Sequence, residues 1–149
     1  MINWNDFEHI HVIKKLKHVL HTWWNIDIVF TDERGHLKGL EGDKVNYANP
    51  AVNYLVNKES SQADLATVVS ASIEKLRQTN GKCDLQKWEL AGFDMCVFPI
   101  IIENDYVGSV TALGFFKDGD FAQSIAEVQN KLAAIGCSSE LIEKSVKKL

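Results

Sequence analysis

Four of the five histidines, His9, His11, His18 and His21, fall in one N-terminal stretch. On a helix His11, His18 and His21 lie near one face, a spacing that could present imidazoles to a metal. No cysteine or carboxylate cluster completes a ligand pattern around them, so they read as solvated histidines, and no metal or cofactor is expected. The three cysteines, Cys83, Cys96 and Cys137, are odd in number and lack the spacing of a disulfide framework, as expected for reduced thiols. Cys96 sits inside an apolar run, where a thiol behaves as a small, inert hydrophobe. Cys83 follows Gly81-Lys82 in a more polar segment beside a positive charge, which makes it the better redox candidate. No Ser/His/Asp order, phosphate-binding glycine loop, dinucleotide fingerprint or zinc-type cysteine pair occurs, so no catalytic residue is assigned.

Residues suited to binding are easier to find. Trp88, Phe98, Thr111 and Phe115 fall on β-rich segments that could wall a pocket beneath a crossover from Glu41 to Val56. Alternation along a strand puts Cys96 on the same face as Phe98, with Val97 and Pro99 on the other. Arg77 and Lys82 could meet an anion at the rim. The competing reading makes the aromatics core and the charges solvated.

These residues depend on the elements that carry them. From about Trp4 to Trp24, Ile10, Ile13, Leu16, Leu20 and Trp24 recur at helical spacing, with Val12, Val19 and Trp23 alongside. Ile26 to Thr31 is β-rich, Asp32-Glu-Arg-Gly35 is a turn, and His36 to Leu40 is the expected partner strand. Glu41 to Asn49 reads as a loop, and Pro50 stands where a short helix, Ala51 to Val56, can begin. Ser61-x-x-Asp64 resembles a capping box ahead of a second long helix with Leu65, Val69, Ile73 and Leu76 on one face, ended by Asn80-Gly81. Lys87 to Leu90 is expected as a short strand, and Met95 to Ile102 as a strand buried on both faces. After the turn Glu103-Asn-Asp105, Tyr106 to Phe116 supplies another strand. Two C-terminal helices occupy about 120–148, the first striped by Phe121, Ile125, Val128, Leu132 and Ile135.

The 149 residues suffice for one domain with its own core, and a hydrophobic share of 46% with 24% charged residues is that of an ordinary globular chain. The net charge of -4 argues against direct nucleic-acid contact, which needs Lys and Arg to neutralise phosphates. Met1 to Glu8 is polar and acidic rather than a secretory leader, and no apolar run reaches the ~20 residues of a membrane helix. A cytoplasmic location without membrane contact is the expectation.

The order of elements predicts an α/β (α+β) fold, a central antiparallel sheet of about five strands flanked by helices, as a single domain over 1–149. Met95-Cys-Val-Phe-Pro-Ile-Ile-Ile-Glu-Asn-Asp-Tyr-Val-Gly108-Ser-Val resembles the strand-turn-strand of GAF and PocR-type sensory domains. There an apolar strand carrying Pro-Ile meets a tight polar turn and then an apolar-Gly pair. Ile28-Val-Phe-Thr-Asp-Glu-Arg-Gly35 is similar to their opening hairpin. PocR-like domains often place a cysteine closer to the Pro-Ile strand than Cys83 stands here. The resemblance implies a GAF/PAS-like module of a bacterial signalling or transcription regulator that binds a small molecule, for which the strand positions read above offer Trp88, Cys96, Phe98, Thr111, Phe115 and Arg77. It also implies that terminal helices pair two protomers and pass the signal to a downstream output domain. The first helix, apolar on more than one face, offers Ile13, Leu16, Leu20, Trp23 and Trp24 to a homodimer interface. Two alternatives share these features. One is a thiol-dependent GAF-fold reductase of free methionine sulfoxide using Cys83 and Cys96; the other is a pocketless roadblock-type interaction module with the same element order.

Overall fold

The computed structural model describes residues 19–20, 26–38, 47, 49–116, 121–147 and 149. Of the residues expected at a dimer interface, Leu20 is described, helical and half-buried, whereas Ile13, Leu16, Trp23 and Trp24 lie outside the described residues. So do His9, His11, His18 and His21, and most of the expected crossover loop.

Strand β1 (Asp27–Asp32) turns through Gly35 into β2, the two-residue rung Leu37–Lys38. Helices α1 (Pro50–Val56) and α2 (Glu59–Thr79) follow, then β3 (Asp84–Lys87), β4 (Asp94–Ile102) and β5 (Asp105–Phe115), and finally α3 (Phe121–Ala134) and α4 (Ser139–Val146). The sheet is open and antiparallel in the order β2-β1-β5-β4-β3. Four of its members are strands of ordinary length, and the partner expected for β1 over His36 to Leu40 is described only as the two-residue rung.

Local chemistry sets the boundaries. Asn49 caps α1, its Oδ1 accepting from the Ala51 amide at 2.9 Å, with Pro50 in the first turn. The long helix does not start at the expected capping box. It begins at Glu59, and Ser61 is buried inside the first turn. Lys58 stands at the N-cap with extended backbone and no side-chain cap, and the first helical bond runs from the Gln62 amide to its carbonyl at 2.9 Å. Asn80, left-handed at φ 56°, closes α2 as expected.

β3 lies upstream of the expected Lys87 to Leu90. Trp88 leaves the sheet into a turn in which the Ala91 and Gly92 amides both donate to the Trp88 carbonyl, at 3.1 and 2.8 Å. That turn buries the indole completely, edge-on to Phe93, with Nε1 donating to Asp64 at 2.7 Å. Glu103 and Asn104 both take positive φ, 52° and 68°, in the two-residue hairpin between β4 and β5, the backbone that follows strand twist.

Register assigns the two faces of the sheet. Directly paired residues share a face, so Val29, Thr111 and Val97 point together, as do Leu113 and Met95. These side chains meet Leu55, Leu65, Val69, Trp88, Val128 and Leu132 in one core, and each is almost completely buried. At about 1.5–3 kcal/mol per large apolar side chain, this helix-covered face carries most of the burial energy. Ile28, Cys96, Phe98, Val110 and Ala112 occupy the opposite face. The expectation that Met95 to Ile102 is buried on both faces is therefore corrected. Phe98 is 43% exposed, and Ile101 and Ile102 are 60% and 48% exposed. Helices α1–α4 pack on the face of Val29 and Val97, while Ile28 and Phe30 on the other face are buried as well.

Candidate functional site

Helix α2 crosses the sheet so that Ile73, Leu76 and Arg77 face the β4–β5 hairpin. The gap there is a cleft of about 350 Å³. Ile73, Leu76, Pro99 and Ile101 form its apolar wall, and Arg77, Asn80, Asn104 and Asp105 supply polar groups. Arg77 Cζ stands 4.7 Å from the centroid of the Tyr106 ring. The same two side chains also line a smaller hollow of about 130 Å³ on the side of Arg34, Ser70 and Glu74. They thus form the partition between two recesses.

Arg77 is exposed on the last turn of α2, and its guanidinium packs over the Tyr106 ring. A guanidinium held over a ring keeps its N–H groups available for a carboxylate or phosphate. Behind the ring lies a buried hydroxyl group of residues. Thr31 and Ser109 are paired across β1 and β5, are fully buried, and hydrogen-bond each other through their side chains. The Tyr106 hydroxyl lies close to both. Burial pushes the Tyr106 phenol above its ordinary value, and Asp32 adds to this, against the hydrogen bonds from Ser109 and Thr31 and the charge of Arg77. The phenol is therefore neutral and stays fixed in that network.

The residues expected to bind are dispersed. Arg77 is on the cleft. Trp88 and Thr111 are in the core on the helix-covered face, and the Thr111 hydroxyl has no hydrogen-bond partner among the described residues. Cys96 and Phe98 are on the other face. Phe115 is half-buried at the end of β5, opposite Asp94 across a bulge at Gly114. Tyr106, Ile73, Asn104 and Pro99 were not among the expected site residues. The polar turn Glu103-Asn-Asp105 is the signal that could have pointed to Tyr106, because the residue leaving a hairpin turn is placed by the turn itself.

Cys83, exposed, precedes β3 by one residue, and Cys96 is directly opposite Leu85. The two thiols are near enough to influence each other. Burial, with the neighbouring Cys83 and Asp84, raises the Cys96 thiol to about 11. Cys137 is buried at the start of the connection to α4, and burial raises its thiol too. Among the described residues no helix is long and apolar enough to cross a membrane. No family model matches the chain, and no curated protein or solved structure matches it either.

Proposed function

We propose that the chain is a GAF/PAS-like ligand-sensing and dimerisation domain of a bacterial signal-transduction or transcription regulator. In this reading a small anionic molecule with an apolar body occupies the Arg77–Tyr106 cleft. The observation that carries the reading is the pairing of a cleft of about 350 Å³ with an exposed arginine that makes no salt bridge among the described residues. The volume suits a small ligand. The apolar wall would take its body, and Arg77 its carboxylate or phosphate. Asp105 at the rim disfavours polyanions, which selects a singly charged group. Bound ligand would join α2 to the β4–β5 hairpin and bias the packing of the terminal helices, which a downstream domain reads.

Native mass spectrometry of the purified chain, followed by titration with small carboxylates and monophosphates, tests this reading. Saturable binding that is lost in Arg77→Met, together with a dimer, is the expected result. A persistent monomer with no saturable binding overturns it.

A further inference from the structure

Cys83 and Cys96 meet at the edge of the sheet. β3 is an edge strand, and its ladder to β4 begins at the Asp84–Val97 pair, so Cys83 stands one residue outside the hydrogen-bonded register. Its backbone is not held by the ladder and can adjust toward β4. Leu85 lies directly across from Cys96, so Cys83, two residues before it on the same face, is the diagonal neighbour of Cys96 and its thiol is close enough to act on the Cys96 thiol. A disulfide needs the sulfurs to close to about 2.05 Å with their Cβ atoms about 4 Å apart, a short movement for a residue at a strand end. Cys83 is open to solvent, whereas Cys96 is half-buried beside it.

We propose that Cys83 and Cys96 form a reversible thiol–disulfide pair oxidised by hydroperoxides, fastening the α2–β3 connection to β4. The chemistry divides by exposure. The Cys83 thiolate attacks the outer oxygen of a hydroperoxide; an S–O bond forms, the O–O bond breaks, and the departing hydroxide or alkoxide takes up a proton as water or alcohol. The Cys96 sulfur then attacks the Cys83 sulfenic acid. An S–S bond forms, the S–O bond breaks, and the Cys96 proton leaves with the hydroxyl as water. The two thiols supply the two electrons that reduce the peroxide. Cys96 is half-buried and its thiol is raised by burial, so Cys83 meets peroxide first, and adjacency to the Cys83 sulfenic acid then offsets the low reactivity of Cys96 in the second step. A small dithiol reverses the change by exchange.

Reduced full-length protein treated with stoichiometric hydrogen peroxide tests the pair. Trypsin places Cys83 in the peptide Cys83–Lys87, Cys96 in Trp88–Lys117 and Cys137 in Leu132–Lys144, so each crosslink is distinguishable by mass. The expected result is an intramolecular link between the first two peptides that dithiothreitol removes. In Cys96→Ser, dimedone should label Cys83; in Cys83→Ser, Cys96 should remain unlabelled at the same dose. Overoxidation of Cys83 in the wild type without a crosslink would overturn the proposal. A link through Cys137, or dimedone capture by Cys96 in Cys83→Ser, would overturn it equally. The wild-type map needs no variant to fold.

Discussion

Arg77, on the last turn of α2, packs over the ring of Tyr106 at the start of β5, with Cζ 4.7 Å from the ring centroid. This contact joins the helix to the hairpin at the mouth of the cleft. Because Arg77 is exposed, the cation–π attraction is expected at the weak end of its range, about 0.5–1 kcal/mol. Arg77→Met keeps the aliphatic packing and removes the charge, and Tyr106→Leu removes the ring. A double-mutant cycle read by urea unfolding should show a coupling of about 0.5–1 kcal/mol. Additive single effects would mean that the two side chains are neighbours without interaction.

The Thr111 hydroxyl is buried on the helix-covered face, between Val29 and Val97 across the sheet, and its Oγ1 has no hydrogen-bond partner among the described residues. An unsatisfied buried hydroxyl costs about 1–3 kcal/mol. Thr111→Val puts a methyl group in nearly the same space and fits an apolar surrounding already present. The variant should be more stable by about 1 kcal/mol, with an unchanged urea m-value. Destabilisation on this substitution would mean that the hydroxyl is bonded in solution.

Much of the helical structure is legible in the sequence. Leu65, Val69, Ile73 and Leu76 repeat with the helical period, and Asn80-Gly81 is a strong stop, so α2 can be read with an error only at its start. That error arises because Ser61 has the chemistry of a cap, while the chain already turns helical after the extended Lys58. β3 is misplaced for a similar reason. Trp88 is a strand-favouring residue, but a partner on α2, Asp64, draws it into a turn. The exposure of Phe98, Ile101 and Ile102 cannot be read from Met95 to Ile102, because the run is apolar at every position and carries no alternation. The cleft is the least legible feature. Arg77 and Tyr106 are far apart in the chain, and although Tyr106 stands in the strand-turn-strand pattern, nothing in the sequence pairs it with Arg77; the strand register and the crossing of α2 bring them together.

A second polar contact between α2 and the sheet gives the fold a defined acid sensitivity. Asp84, buried at the start of β3, accepts from Ser72 Oγ at 2.7 Å, from Lys75 Nζ at 3.0 Å and from Gln86 Nε2 at 3.1 Å. Burial alone would raise its pKa, but the Ser72 hydrogen bond and the bond and charge of Lys75 outweigh it and hold the carboxyl below 3.8. Lys75 is 66% exposed, so solvent screens its share and the buried Ser72 bond carries more of the effect. A carboxyl whose folded pKa lies below its unfolded value stabilises fully above the unfolded pKa, about 3.9. That contribution disappears as the pH falls through the lower, folded value. Urea midpoints of the wild type should therefore hold steady near neutrality and decline below about pH 4. Asp84→Asn should cost about 1.5–3 kcal/mol at pH 7, because hydrogen bonds to a charged acceptor become bonds to a neutral one. Its loss of stability on acidification should be smaller than that of the wild type, so the two curves converge at low pH. Parallel curves would show that the Ser72–Asp84–Lys75 contact does not favour the ionised carboxylate.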